Sequence, residues 1–165
     1  MPDKIKNNNH KDNNNNNLGN GFRGDNKDKS KDKDGPIAKL LIVDDEYDLV
    51  HVLKIGLQQN GFLVEGFTNP EEALQSFKSN AESYCLLVSD VRMPGLTGIQ
   101  LARKVKAINP NVKVVLMTAF EIRDDEFSTV FPSTKVDGFV QKPVGIRELT
   151  DKVLSIIGQS KGEEK

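Results

Sequence analysis

The sequence predicts an α/β fold in which a five-stranded parallel sheet is covered by helices on both faces. Three observations point there. After Pro36, short apolar runs of strand length alternate with longer amphipathic segments. The first of them, ending at Val43, is continuously apolar, as a strand buried on both faces is. Residues 1–35 stand apart, with ten asparagines and almost no large apolar side chains.

The elements follow in order. Lys39–Val43 (KLLIV) is a continuous apolar run that stops at Asp44-Asp45. Residues 47–59 put Leu49, Val52, Leu53 and Leu57 on one helical face, and Asn60-Gly61 supplies the stop. Phe62–Phe67 is a second strand. Asn69-Pro70-Glu71-Glu72 combines a cap, a proline at N1 and first-turn acids, and Ala73, Leu74 and Phe77 form the buried face of the helix it starts. Tyr84–Ser89 is a third strand ending at Asp90. Met93–Gly98 is a Pro/Gly loop, and the helix after it carries Ile99, Leu101, Ala102, Val105 and Ile108 up to Asn109-Pro110. Val112–Met117 is a fourth strand ending at Thr118. In 121–134, Phe127, Val130 and Phe131 suggest a short fourth helix interrupted by Pro132. Gly138–Val140 is a fifth strand just before Lys142-Pro143. The last helix, near 145–158, buries Ile146, Leu149, Val153, Ile156 and Ile157 and closes at Gly158. Strands and helices in strict alternation imply right-handed crossovers and a parallel sheet.

Composition bounds the rest. The chain has 165 residues, enough for one ordinary domain. Residues 1–36 read as a disordered Asn-rich tail, because they cannot bury enough surface to offset ordering entropy. The charges interspersed there oppose self-association. Residues 37–158 form the folded domain, and 159–165 a flexible C-terminus. The tail carries eight Lys and Arg against six acids, and the remainder fifteen against eighteen, so neither part is a basic nucleic-acid surface. A single cysteine, Cys85, excludes an internal disulfide and fits a reducing compartment. No apolar run approaches the roughly 18 residues of a membrane span, and the N-terminus has no hydrophobic signal region. A soluble cytoplasmic protein is expected.

Function resides in what the strands deliver at their carboxyl ends, where ligands bind in such sheets. The first brings Asp44, Asp45 and Glu46, the third Asp90, the fourth Thr118 and the fifth Lys142. Each has a plain structural reading by itself. An acidic pair caps a helix, Asp before a Pro/Gly loop makes a turn, Thr suits a strand, and Lys-Pro is punctuation. Their coincidence at one edge is what singles them out. Carboxylates about 5 Å apart repel by roughly 3 kcal/mol per pair at an effective dielectric near 20. Such a cluster takes up protons or recruits a cation. Hard oxygen ligands without His or Cys select Mg²⁺ over zinc. A Lys ammonium and a Thr hydroxyl beside them can neutralise phosphoryl oxygens while a carboxylate attacks phosphorus.

Residues 38–158 resemble the receiver domain of response regulators. The matching pieces are LLIVDDE (40–46), LLVSDVRMPGLTGIQL (86–101), VVLMTAF (114–120) and DGFVQKP (137–143). The resemblance implies a flavodoxin-like, doubly wound (βα)5 fold with strand order 2-1-3-4-5. It implies Asp90 as phosphoacceptor, and Asp44 and Asp45 as the Mg²⁺ pair, with Asp45 ahead of Asp44 as direct ligand. Arg92 would lend its backbone carbonyl to the metal. Lys142 would ion-pair with the acyl phosphate and Thr118 would hydrogen-bond it. Phe139 stands at the switch-aromatic position, where the family often has Tyr, and the Lys142-Pro143 bond would be cis. Arg92 and Phe120 would flank the route of hydrolytic water and set the phosphate lifetime. The implied partners are a sensor histidine kinase or phosphotransfer protein upstream and a docked protein downstream, with no nucleic acid or membrane bound directly. With only Gln159–Lys165 after the last helix, a stand-alone receiver without an output domain is expected.

Two rival functions compete. An Asp-nucleophile phosphatase would place a general acid two residues after the nucleophile, where this chain has Arg92, and its cap domain would not fit the length. A degenerate receiver acting only as an interaction module would not retain Asp44, Asp45, Asp90, Thr118 and Lys142 together. Other residues read as structural. His51 is placed on a polar helical face, His10 in the tail, Met93 beneath Asp90 and Met117 in a strand. Cys85 is expected to be a small buried hydrophobe. No Walker A or dinucleotide glycine pattern is present.

Overall fold

The computed structural model describes residues 35–120 and 134–159. Its elements in chain order are β1 (Lys39–Val43), α1 (Tyr47–Gln59), β2 (Leu63–Phe67), α2 (Pro70–Ser79), a 3₁₀ turn (Ala81–Ser83), β3 (Leu86–Asp90), α3 (Gly98–Ile108), β4 (Lys113–Thr118), β5 (Gly138–Gln141) and α4 (Ile146–Gln159). The strands form one parallel sheet in the order β2-β1-β3-β4-β5, as the resemblance implies. Nearly all of the expected tail, of the stretch 121–134 expected to hold a short helix and of the expected C-terminal segment lies outside the described residues.

Alternation along the strands divides the core in two. Leu41 and Val43 of β1 join Phe77, Leu87, Leu101 and Val105 on the α2/α3 face. Leu40 and Ile42 join Leu53, Leu57, Leu86 and Leu149 on the α1/α4 face. Successive side chains point to opposite sides of a strand, so an unbroken apolar run fills both layers. The helices start as their sequences dictate. The Asn69 side chain accepts the Glu71 N–H at 2.8 Å ahead of Pro70, and Thr97 and Gln100 form a capping box for α3.

Two sequence expectations need correction. Val52 is 60% exposed, and Val50 takes its place in the core. The buried stripe of α1 runs through 50, 53 and 57, the i, i+3, i+7 spacing, which leaves 52 off the face. Cys85 is exposed, not buried. Its backbone joins the ladder through Lys39 O and the Lys113 N–H, but the side chains of β3 enter the core only from Leu86 onward.

At the amino-terminal rim of the sheet, Lys39, Glu65, Ser76 and Tyr84 form a polar network. Lys39 Nζ lies 2.7 Å from Glu65 Oε1, and the Tyr84 and Ser76 hydroxyls donate to Glu65 Oε2. Burial alone would raise the Glu65 carboxyl, but the bonds from Lys39, Tyr84 and Ser76 outweigh it and hold it below its ordinary value. A depressed carboxyl contributes stability that is present above its unfolded pKa, here 4.5, and is lost as pH falls through the folded value. Glu65→Gln is therefore expected to cost less than about 1 kcal/mol of stability at pH 7, read as a lower Tm, since Glu65 is partly solvated. The gap should close below the ordinary carboxylate range. Paired thermal melts across pH check this, and a gap that persists in acid would contradict it. Among the described residues no helix is long and apolar enough to cross a membrane.

Candidate functional site

The carboxyl ends of β1, β3, β4 and β5 converge because neighbouring parallel strands run in register. Val43 pairs with Ser89, Asp90 with Met117, and Thr118 with Gln141. The Lys142 N–H extends the last ladder by donating to Thr118 O at 2.7 Å. The Asp44 N–H donates to Phe67 O, and Asp44 Oδ1 accepts the Glu46 N–H at 2.9 Å, which turns the chain from β1 into α1. Lys142-Pro143 is cis, as the resemblance implies.

Asp44, Asp45 and Asp90 each place a carboxylate oxygen within 4.8 Å of the others. Asp44 is fully buried, Asp90 nearly so, and Asp45 is exposed. The Lys142 ammonium reaches over them, 2.7 Å from Asp44 Oδ2, 3.3 Å from Asp90 Oδ1 and 3.7 Å from Glu46 Oε1. Burial pushes the Asp90 carboxyl above its ordinary value; Lys142 works against the shift, and the charges of Asp44 and Asp45 add to it. Burial would lower the Lys142 amine, but its bonds and charge attraction to Asp44 and Asp90 outweigh that and raise it. The site therefore holds more negative charge than one ammonium satisfies. All its donors are carboxylate oxygens, a set that fits a hard divalent cation such as Mg²⁺.

A cavity of about 170 Å³ opens beside Asp90, lined by Glu46, Arg92, Thr118, Phe120 and Lys142 among others. With about 30 Å³ per water molecule in the liquid, it has room for a phosphoryl group and solvent. Thr118 is buried, and its hydroxyl accepts the Phe120 N–H at 3.0 Å, which leaves its own proton to donate. The Arg92 guanidinium lies 4.4 Å from the centre of the exposed Phe120 ring at the mouth. A larger cavity of about 290 Å³ lies at the opposite rim beside Tyr84, Cys85 and Lys113. There Tyr84 is engaged with Glu65 and Lys113 with Asp137.

The structure thus brings Asp44, Asp45, Asp90, Arg92, Thr118 and Lys142 together. Phe139 does not line the cavity; it is half-buried and packs against the α2/α3 core. His51 is exposed on α1 and stacks on Tyr47, away from the strand ends. Met93 is buried in the core layer on the α2/α3 face. Glu46 received no role from the sequence, although an acid directly after Asp44-Asp45 was the signal.

Residues 40–154 match the family described as the response regulator receiver domain. The chain is 35% identical over 125 residues to the CpxR homolog of Haemophilus influenzae, a transcriptional regulatory protein, covering 75% of this chain and 52% of that protein. It is 32% identical over 123 residues to the alkaline phosphatase synthesis transcriptional regulatory protein PhoP of Bacillus subtilis, covering 74% and 49%. It spans about half the length of these curated relatives. Among solved structures, a response regulator receiver domain protein from Clostridium thermocellum superposes with a TM-score of 0.67 at 26% identity, covering 76% of this chain and 98% of that one. The receiver domain of the hybrid histidine kinase CckA does so with 0.61 at 28%, covering 73% and 99%. With the sheet order, the acidic rim and the family match in agreement, the chain belongs to the response regulator receiver domain family.

Proposed function

We propose that this chain accepts a phosphoryl group on Asp90 from a histidine kinase or phosphotransfer protein and thereby switches a protein-docking face. The observation that carries the reading is the convergence of Asp44, Asp45 and Asp90 under the Lys142 ammonium. An Asp90 carboxylate oxygen attacks phosphorus, the bond from phosphorus to the donor imidazole breaks, and the imidazole leaves with a proton. Lys142 faces the developing charge and Thr118 donates to a phosphoryl oxygen. Asp44, Asp45, Asp90 and the Arg92 carbonyl would hold Mg²⁺, whose charge would offset that of the phosphoryl oxygens when bound. The chain acts as a signalling module, not as a turnover enzyme, in the cytoplasm.

Thr118 and Phe139 would relay the change. They lie on adjacent strands, with Leu116 opposite Phe139 and Thr118 opposite Gln141. Movement of Thr118 toward the phosphate would free space for Phe139 and shift the face around β5 and α4. This is a population shift needing only a few kcal/mol of differential stabilisation. A protein partner would read that face.

Incubation with acetyl phosphate, with and without Mg²⁺, followed by intact-mass spectrometry tests the proposal. One phosphate per chain is expected with Mg²⁺ and almost none in EDTA. The rival hydrolase is checked in the same samples, where turnover of a small phosphomonoester should be negligible. Absence of the phosphorylated species in the presence of Mg²⁺ would sink the reading.

A further inference from the structure

We propose that Gly98 and Ser89 are positioning residues for Asp90, forming a backbone cradle that sets where its carboxylate stands. The inference rests on the phosphoacceptor reading but is tested apart from it. Gly98 is the first residue of α3, and its φ lies outside the left-handed region, so its dihedrals suit any residue. What excludes a side chain is contact. A Cβ built there would lie 1.9 Å from the Asp90 carbonyl oxygen, 2.8 Å from the carbonyl carbon and 3.0 Å from Ser89 Oγ. Ordinary C···O approaches begin at about 3.3 Å, so a methyl group would force the two backbones apart by more than about 1 Å.

The other contacts leave little room for that movement. The Ser89 hydroxyl is fully buried and donates to the same Asp90 oxygen at 3.0 Å. The Gly98 N–H donates to Val91 O at 3.1 Å, and the Val91 N–H donates to Met117 O at 3.0 Å. Thr97 and Gln100 lock the start of α3 through the capping box. The loop between Asp90 and α3 therefore closes with α3 backbone lying directly on the carbonyl of Asp90. Displacing that carbonyl turns the peptide plane and carries the Cα and carboxylate with it. Nearby Gly95 is the contrast. It adopts φ +77° in the same loop and has open space around it, so Ala there strains the loop without touching Asp90.

The test compares wild type, Gly98→Ala, Ser89→Ala and Gly95→Ala in three measurements. These are the melting temperature, the dissociation constant for Mg²⁺ alone by calorimetry, and the phosphorylation rate with acetyl phosphate at saturating Mg²⁺. All are run where each variant is folded. Supporting groups of a metal site typically contribute 10- to 100-fold in affinity or activity, and Gly98→Ala is expected to lose about that much in both Mg²⁺ affinity and rate. Ser89→Ala should lose several-fold in the same two readouts. Gly95→Ala should melt lower with both unchanged, separating positioning from general loosening. Wild-type affinity and rate in Gly98→Ala would overturn the proposal, as would an equal loss in Gly95→Ala. If Gly98→Ala does not fold, Ser89→Ala decides alone, and unchanged values overturn the cradle. If wild type takes up no phosphate, the phosphoacceptor reading fails while the Mg²⁺ titrations still decide the cradle.

Discussion

Asp90→Asn is expected to abolish phosphate uptake completely and, in the absence of divalent cations, to make the protein more stable. The first effect follows from removal of the oxygen that the proposed phosphotransfer uses as nucleophile, and intact-mass spectrometry reads it directly. The second follows from electrostatics. Asp90 is nearly buried and faces Asp44 and Asp45 as well as Lys142, and burial with those two charges holds its carboxyl above the ordinary value despite Lys142. A group with a raised carboxyl pKa contributes stability that is fully present below the unfolded value of 3.8 and is lost as pH rises through the folded value. At pH 7 the ionised carboxylate is therefore a net burden that asparagine lacks. Two carboxylate repulsions set against one ammonium attraction at an effective dielectric near 20 leave a gain on the order of 1 kcal/mol, or roughly 2–5 °C in Tm. The gain should vanish below pH 3.8 and shrink when Mg²⁺ is added to both proteins, because only wild type offers the metal all three carboxylates. Equal melting of the two proteins in EDTA at pH 7 would show that the rim is not electrostatically loaded.

Lys142→Met should act in the opposite sense on stability and in the same sense on chemistry. Lys142 is the cation 2.7 Å from Asp44 Oδ2, and Asp44 is fully buried. Removing one partner of a buried pair leaves the other charge without compensation, which costs 3–5 kcal/mol. The Lys142 side chain keeps 17% exposure, so we expect about 3 kcal/mol, the lower end. Its amine is raised above 10.5, so the stability it contributes is fully present below that pH and is lost as pH rises through the folded value. The difference from wild type should be flat between pH 7 and 9 and close in stronger base. Added Mg²⁺ should restore part of the loss by neutralising Asp44. Phosphorylation by acetyl phosphate should slow by about 10²- to 10³-fold, the usual effect of removing one preorganised charge-stabilising group. Thermal melts with and without Mg²⁺ read the first effect and phosphorylation rates the second. A variant as stable as wild type would mean that Asp44 is held by something other than this lysine.

Much of this was legible before any coordinates. The runs at Lys39–Val43 and Val112–Met117 showed buried parallel strands because both faces of such strands need apolar residues. A parallel sheet sends every carboxyl end to one rim, so Asp44, Asp45, Asp90, Thr118 and Lys142 could be gathered from positions up to 98 residues apart in the chain. The errors are of another kind. Val52 and Val50 differ by two positions on α1, and apolar character alone does not set the rotational phase of the helix against the sheet; the packing of Leu53 and Leu57 does. Cys85 is expected in the core because a free cysteine behaves as a small hydrophobe, yet it is exposed and β3 begins only at Leu86. Gly98 looked like ordinary loop punctuation, since nothing local marks a glycine whose neighbour is the backbone of Asp90.

Periodicity, the punctuation between apolar runs and the order of polar residues at strand ends determined the architecture and the membership of the acidic rim, because these depend on chain-local pattern and on a topology with few alternatives. Tertiary structure alone decided which acids Lys142 grips, that Arg92 lies over Phe120, that Phe139 stands back from the cavity, and that α3 rests on the Asp90 carbonyl. Those are distances of a few ångströms between groups remote in sequence. They are set by how two core layers close-pack around the sheet, and dense packing leaves each such contact one arrangement.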